Sequence, residues 1–126
     1  MKKFKTEALA EAVAHVSGYQ IPGSPLYVAR NPGGLKAYMG KAANAEGQRL
    51  FSSVIDGLQS LIYDTQLKLG GMSRACLQPS DTLQDFAASH GQPTTAADAY
   101  AKFLRRALND DSIHKKLELR YFLDEE

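Results

Sequence analysis

Val13-Ala14-His15-Val16-Ser17-Gly18-Tyr19 closes one pattern, and Ile21-Pro22-Gly23-Ser24-Pro25 followed by Arg30-Asn31-Pro32-Gly33-Gly34-Leu35 opens another. Upstream, Phe4, Leu9, Ala12, Val13 and Val16 recur mostly at helical spacing, with Thr6-Glu7 available as start signals. A helix is predicted over residues 4–16, ended by Gly18. The Gly, Pro and Ser content from Gly18 to Gly34 predicts one long ordered loop. In a small domain a loop of this length is a functional feature or a disordered one more often than a plain connector.

Working outward, Leu35-Lys36-Ala37-Tyr38 and Arg49-Leu50-Phe51 flank a polar Gly/Ala/Asn stretch, the signature of a short β-hairpin. Val54, Leu58, Leu61, Ile62, Thr65 and Leu69 then repeat at three and four, which predicts the longest helix over residues 53–69, stopped by Gly70-Gly71. Ser80-Asp81 can cap a shorter helix with Leu83, Phe86 and Ala87 inward, ending at His90-Gly91. Thr94-Thr95 opens another in which Ala96, Tyr100, Phe103, Leu104 and Ala107 form one stripe. Ser112 can start a last turn or two through Leu117, and Asp124-Glu125-Glu126 is expected to fray. The fold class predicted is mainly α, about five helices and a small hairpin, in a single domain spanning residues 1–126.

At 126 residues the chain can bury a single core without staples. Its 15 Lys+Arg against 14 Asp+Glu leave a net charge of +1, which argues against a dedicated nucleic-acid binder. The charge is uneven: residues 1–50 hold seven Lys/Arg against three Glu, and residues 51–100 hold two against five Asp. One cysteine, Cys76, and three scattered histidines offer no disulfide framework or Cys-based zinc site, so no metal or other cofactor is expected. Met1-Lys2-Lys3-Phe4-Lys5 resembles the start of a secretory signal, but Glu7 and Glu11 fall where the apolar stretch belongs. With no run near the roughly 18 apolar residues of a membrane span, a cytoplasmic protein is the expectation, and action outside the cytoplasm would need phage lysis or another export route. Phosphate-loop, dinucleotide and His-Glu-x-x-His patterns do not occur. Ser17 and His15, two positions apart on a helix, point about 200° away from each other and make a poor nucleophile pair.

Taken in order, the helix ending at Ser17-Gly18-Tyr19, the Pro22-Gly23-Ser24 loop, Asn31-Pro32-Gly33-Gly34-Leu35, the hairpin and Phe51 before Gly57-Leu58-Gln59-Ser60-Leu61 resemble the lysozyme-like domains of phage and bacterial peptidoglycan-degrading proteins. Thr82-Leu83-Gln84-Asp85-Phe86 and Tyr100-Ala101-Lys102-Phe103-Leu104 are similar to later segments of that family, so the resemblance covers roughly residues 8–110. It implies an α+β domain with a cleft between the first helix, the Gly/Pro loop and the hairpin. The implied partner is a peptidoglycan glycan strand, and the implied activity is muramidase or lytic transglycosylase.

The sequence departs from the family where the chemistry sits. The family's first helix ends in a catalytic glutamate, and Ser17 stands there instead. Glycoside cleavage needs a proton donor to the leaving oxygen, and a serine hydroxyl is far too weak an acid. Among Glu7, Glu11 and Glu46, the only carboxylates of the first fifty residues, Glu11 lies about 9 Å back along the helix and about 120° around it from Ser17. Glu46, next to the second arm of the hairpin, is therefore the candidate catalytic residue, set against a reading as a solvated turn glutamate. Ser17, Tyr19, Asn31, Tyr38 and Tyr100 are the candidate glycan-binding residues. Asn31 can bond a sugar or its own loop, and the tyrosines can stack on sugars or anchor the core. Gly34 is a second departure, from the family's usual Asn. A noncatalytic structural or protein-binding domain is the alternative.

Overall fold

The computed structural model describes residues 4–35, 43–45, 47–70 and 77–123. The described residues are mainly helical: α1 (Lys5–Ser17), α2 (Pro25–Ala29), α3 (Val54–Leu69), α4 (Leu83–Ser89) and α5 (Ala96–Ala107), with a closing 3-10 turn at Leu119–Phe122.

Helix α1 is the centre of the fold. Ala8, Leu9, Ala10, Ala12, Val13 and Ala14 are all buried, because its small alanines let α3 and α5 approach from different sides. Gly18 ends it at φ 80°, the left-handed conformation that glycine adopts without steric cost. Helix α5 presents Ala97, Tyr100, Ala101 and Leu104 to the core and Lys102 and Arg106 to solvent. Phe86 and Leu83 of α4 join them, and the 3-10 turn adds Leu119 and Phe122. In α3, Leu61, Thr65 and Leu69 are buried.

Several expectations need correction. The stretch from Gly18 to Gly34 is not loop throughout, because Ser24-Pro25 starts α2: the Ser24 hydroxyl accepts from Tyr27 N–H and proline occupies the first turn. The cap of α4 is Thr82 and not Ser80-Asp81, since Thr82 and Asp85 form a reciprocal capping box. No helix forms over 112–117. There the Ser112 N–H and hydroxyl both donate to Asp110 Oδ1, and Lys116 N–H donates to His114 Nδ1, local bonds that compete with a helical ladder. Helical turn instead appears at Leu119–Phe122, after Leu83 N–H has bonded Leu117 C=O and Leu119 N–H has bonded Asp81 C=O. Val54, placed on the inward stripe of α3, is 40% exposed.

Much of the expected first hairpin arm, including Tyr38, lies outside the described residues. Beyond it, Ala43 pairs with Arg49 in an isolated antiparallel bridge, and Asn44 N–H bonds Gln48 C=O at 2.9 Å. The chain returning from there is fastened to the Gly/Pro segment: Arg49 N–H donates to Leu35 C=O and Phe51 N–H to Ala29 C=O, both at 2.9 Å.

Helix α3 crosses this segment at very close range. A Cβ on Gly57 would stand 2.3 Å from the Arg30 carbonyl oxygen and 2.6 Å from Pro32 Cδ. Gly57→Ala is therefore expected to destabilise the chain by about 1–3 kcal/mol, the ordinary cost of overpacking. Urea denaturation would check it, and an unchanged midpoint would show that α3 can move away freely.

Candidate functional site

An open groove of about 1310 Å³ runs across one side of the molecule. Ser17 reaches it from the end of α1, and Gly33, Gly34 and Leu35 from the Gly/Pro segment. The returning chain contributes Gln48 to Ser52, α3 contributes a face from Asp56 to Lys68, and Ser89 to Gln92 close one end.

The wall nearest the Gly/Pro segment is built on Asn31, which has no exposed surface. Its Nδ2 donates to Leu35 C=O and to Arg49 C=O, both at 2.9 Å, and its Oδ1 accepts from Leu35 N–H at 3.0 Å. All three bonds tie loop to returning chain, so Asn31 shapes the groove from beneath and does not face into it. Gly34, at φ 65°, takes the left-handed conformation that Asn also tolerates. The departure at this position is therefore conformationally conservative.

Ser17 lines the groove, with its hydroxyl donating to Ala14 C=O at 2.7 Å and accepting from Tyr19 N–H at 3.2 Å. It caps its own helix. Tyr19 lies outside the groove, in a smaller hollow of about 510 Å³ shared with Tyr27, Val28 and Arg30. Tyr100 is fully buried, and its hydroxyl donates to Gln92 Oε1. Burial pushes its pKa above the ordinary phenol range, so the phenol stays protonated and keeps donating. Glu46 and Tyr38 lie outside the described residues. Of the four candidates among the described residues, Ser17 alone lines the groove, while Asn31 and Tyr100 stand behind it.

The groove's described carboxylates come instead from α3. Asp56 Oδ2 accepts from Ser52 Oγ at 2.6 Å at the helix start. Asp64 is paired with Lys68, Nζ to Oδ2 being 2.9 Å. Lys68 Nζ also lies 3.0 Å from His90 Nε2, and the His90 ring packs on Phe86 at 4.9 Å between centroids. Burial, and then the neighbouring Lys68 charge, lower the His90 pKa to about 3. The imidazole is thus neutral near pH 7, and its Nε2 accepts from the ammonium. A periodic signal marked this wall: Asp56, Ser60, Asp64 and Lys68 repeat at four, with Gln59, Tyr63 and Leu67 beside them. That second stripe of α3 runs along the flank of its apolar one.

Among the described residues, no group of three or more His, Cys, Asp or Glu side chains could hold a metal ion, and no helix is long and apolar enough to cross a membrane.

No protein-family model, curated protein or solved structure matches the chain. The functional reading rests on the groove.

Proposed function

We propose that the chain is a lysozyme-like module that holds a peptidoglycan glycan strand in this groove without cutting it. The observation that carries the reading is Ser17: a groove-lining residue at the end of the first helix, where the resembled family has its acid, carries only a hydroxyl already bonded to Ala14 C=O. The order of parts supports the same reading, with the first helix, the Asn31-centred segment, the returning chain and α3 meeting around one open channel. Gln48, Gln59 and Ser60 offer hydrogen bonds to sugar hydroxyls, and Tyr63, 62% exposed, offers a ring face.

The carboxylates of α3 do not make a catalytic pair. Asp56 and Asp64 are eight residues apart on one helix, about 12 Å along its axis, beyond the roughly 5–9.5 Å between the carboxyl groups of paired-carboxylate glycosidases. Asp64 is moreover engaged as the anion of its pair with Lys68.

Incubation with purified cell-wall sacculi tests the reading. The chain is expected to sediment with the sacculi and to release no soluble glycan. Release that disappears in Glu46→Gln would establish a muramidase or transglycosylase instead. Failure to sediment would remove the glycan altogether and leave a structural or protein-binding role.

A further inference from the structure

The end of the groove where α3 meets the α4–α5 connection contains a set of donors with no net charge. Lys68 is buried, and its ammonium is held between Asp64 Oδ2 at 2.9 Å and His90 Nε2 at 3.0 Å. An ammonium has three N–H groups. His90 takes one of them. Asp64 Oδ2 stands beside the ammonium as an ion-pair partner without an aligned hydrogen bond, and it has no hydrogen-bond donor of its own among the described residues. No further acceptor for Lys68 is found among those residues. Two residues past His90, Gln92 is oriented from behind: its Oε1 accepts from the buried Tyr100 hydroxyl, which leaves the amide NH₂ as the group available to the groove. Phe86 sits under the cluster, its ring centroid 5.9 Å from Lys68 Nζ, 4.9 Å from the His90 ring and 6.4 Å from the Tyr100 ring.

Charge decides what such donors accept. Asp64 already balances Lys68, and His90 is neutral, so an incoming anion would meet the Asp64 carboxylate without an uncompensated cation to offset it. An uncharged carbonyl oxygen gains the donors without that repulsion.

We propose that Lys68 and Gln92 form a subsite for an uncharged amide carbonyl, that of an acetamido sugar or of a peptide, with Tyr100 as the positioning residue that aims Gln92. This rests on the glycan reading for its acetamido form and stands apart from it for its peptide form.

Calorimetric titration of the full chain with chitotetraose, with cellotetraose, which has the same linkage without acetamido groups, and with a short neutral N-acetylated peptide amide separates the possibilities. Wild-type protein is expected to bind chitotetraose, or the peptide amide, about tenfold more tightly than cellotetraose. Gln92→Glu keeps the oxygen that accepts from Tyr100 and replaces only the NH₂ donors, so it is expected to lose that preference with folding intact. Lys68→Met is expected to lose it as well, and Tyr100→Phe to narrow it. Equal binding of chitotetraose and cellotetraose with no peptide binding overturns the subsite while leaving the glycan reading in place. A preference that survives Gln92→Glu also overturns it. Binding of the peptide alone supports the carbonyl subsite and counts against the glycan.

Discussion

Replacing Asn31 with leucine is expected to lower stability by about 3 kcal/mol, the sum of three hydrogen bonds at about 1 kcal/mol each. Volume is nearly kept, so the loss reports on polarity and not on a cavity. The Leu35 N–H and the Leu35 and Arg49 carbonyls would each lose an Asn31 partner. Asn31→Asp is expected to be little better, since a carboxylate oxygen would then face the two carbonyl oxygens that now accept from Nδ2. Because those bonds join the Gly/Pro segment to the returning chain, both variants should also lose retention on sacculi. Urea midpoints of the wild type and both variants measure the first effect. A change within about 0.5 kcal/mol, the range of an ordinary surface substitution, would show that Asn31 is not the fastening point.

Acidification is expected to destabilise the fold through His90, with a definite sign. The group's pKa is about 3 when folded and 6.5 as the ordinary value, so between those limits the unfolded chain binds the extra proton. The stability tied to a neutral His90 is therefore fully present above about pH 6.5 and declines as pH falls toward 3. At about 1.4 kcal/mol per unit, the loss approaches 5 kcal/mol at the acid limit. The physical cause is local: protonated imidazole would be buried, would lose its acceptor role toward Lys68, and would face that ammonium at 3.0 Å, with Asp64 Oδ2 4.0 Å away as the nearest counter-charge. Other groups titrate in the same range, so the comparison is with His90→Gln, which keeps a neutral acceptor. The stability difference between wild type and His90→Gln should shrink steadily from pH 7 to pH 4. A difference independent of pH would place His90 in solvent.

Much of the helical framework was legible because burial follows periodicity: the expected stripe of α4 is its buried set, and Leu9, Ala12 and Val13 of α1 and Ala96, Tyr100 and Leu104 of α5 are buried as expected. Phe4, by contrast, is exposed, and the small Ala8, Ala10, Ala14, Ala97 and Ala101 are buried off the expected stripes. Turn chemistry was harder to read. Thr82 and Ser80 are equally good caps by type, and Asp85 three residues after Thr82 decides between them by closing the capping box. The floor of the groove escaped for a different reason. The resemblance points to the first fifty residues for an acid, whereas Asp56 and Asp64 lie on α3, where a second, polar stripe runs beside the apolar one. Asn31 was legible as a residue of consequence, but residue type cannot distinguish an amide that bonds a sugar from one that bonds its own loop. Two backbone segments had to be brought together in space before that choice was made. Tyr100 likewise belongs to the core stripe and to the groove at once, through a single bond to Gln92.

The central claim, a glycan strand held along the groove, is tested most directly by mapping backbone amide shifts on titration with soluble peptidoglycan glycan fragments. The account predicts perturbations at Ser17, along Gln48–Ser52, on the Asp56–Lys68 face of α3 and at His90–Gln92, with the fragments left uncut. Shifts confined to the smaller hollow around Tyr19, Tyr27 and Val28, or no shifts at all, would contradict it.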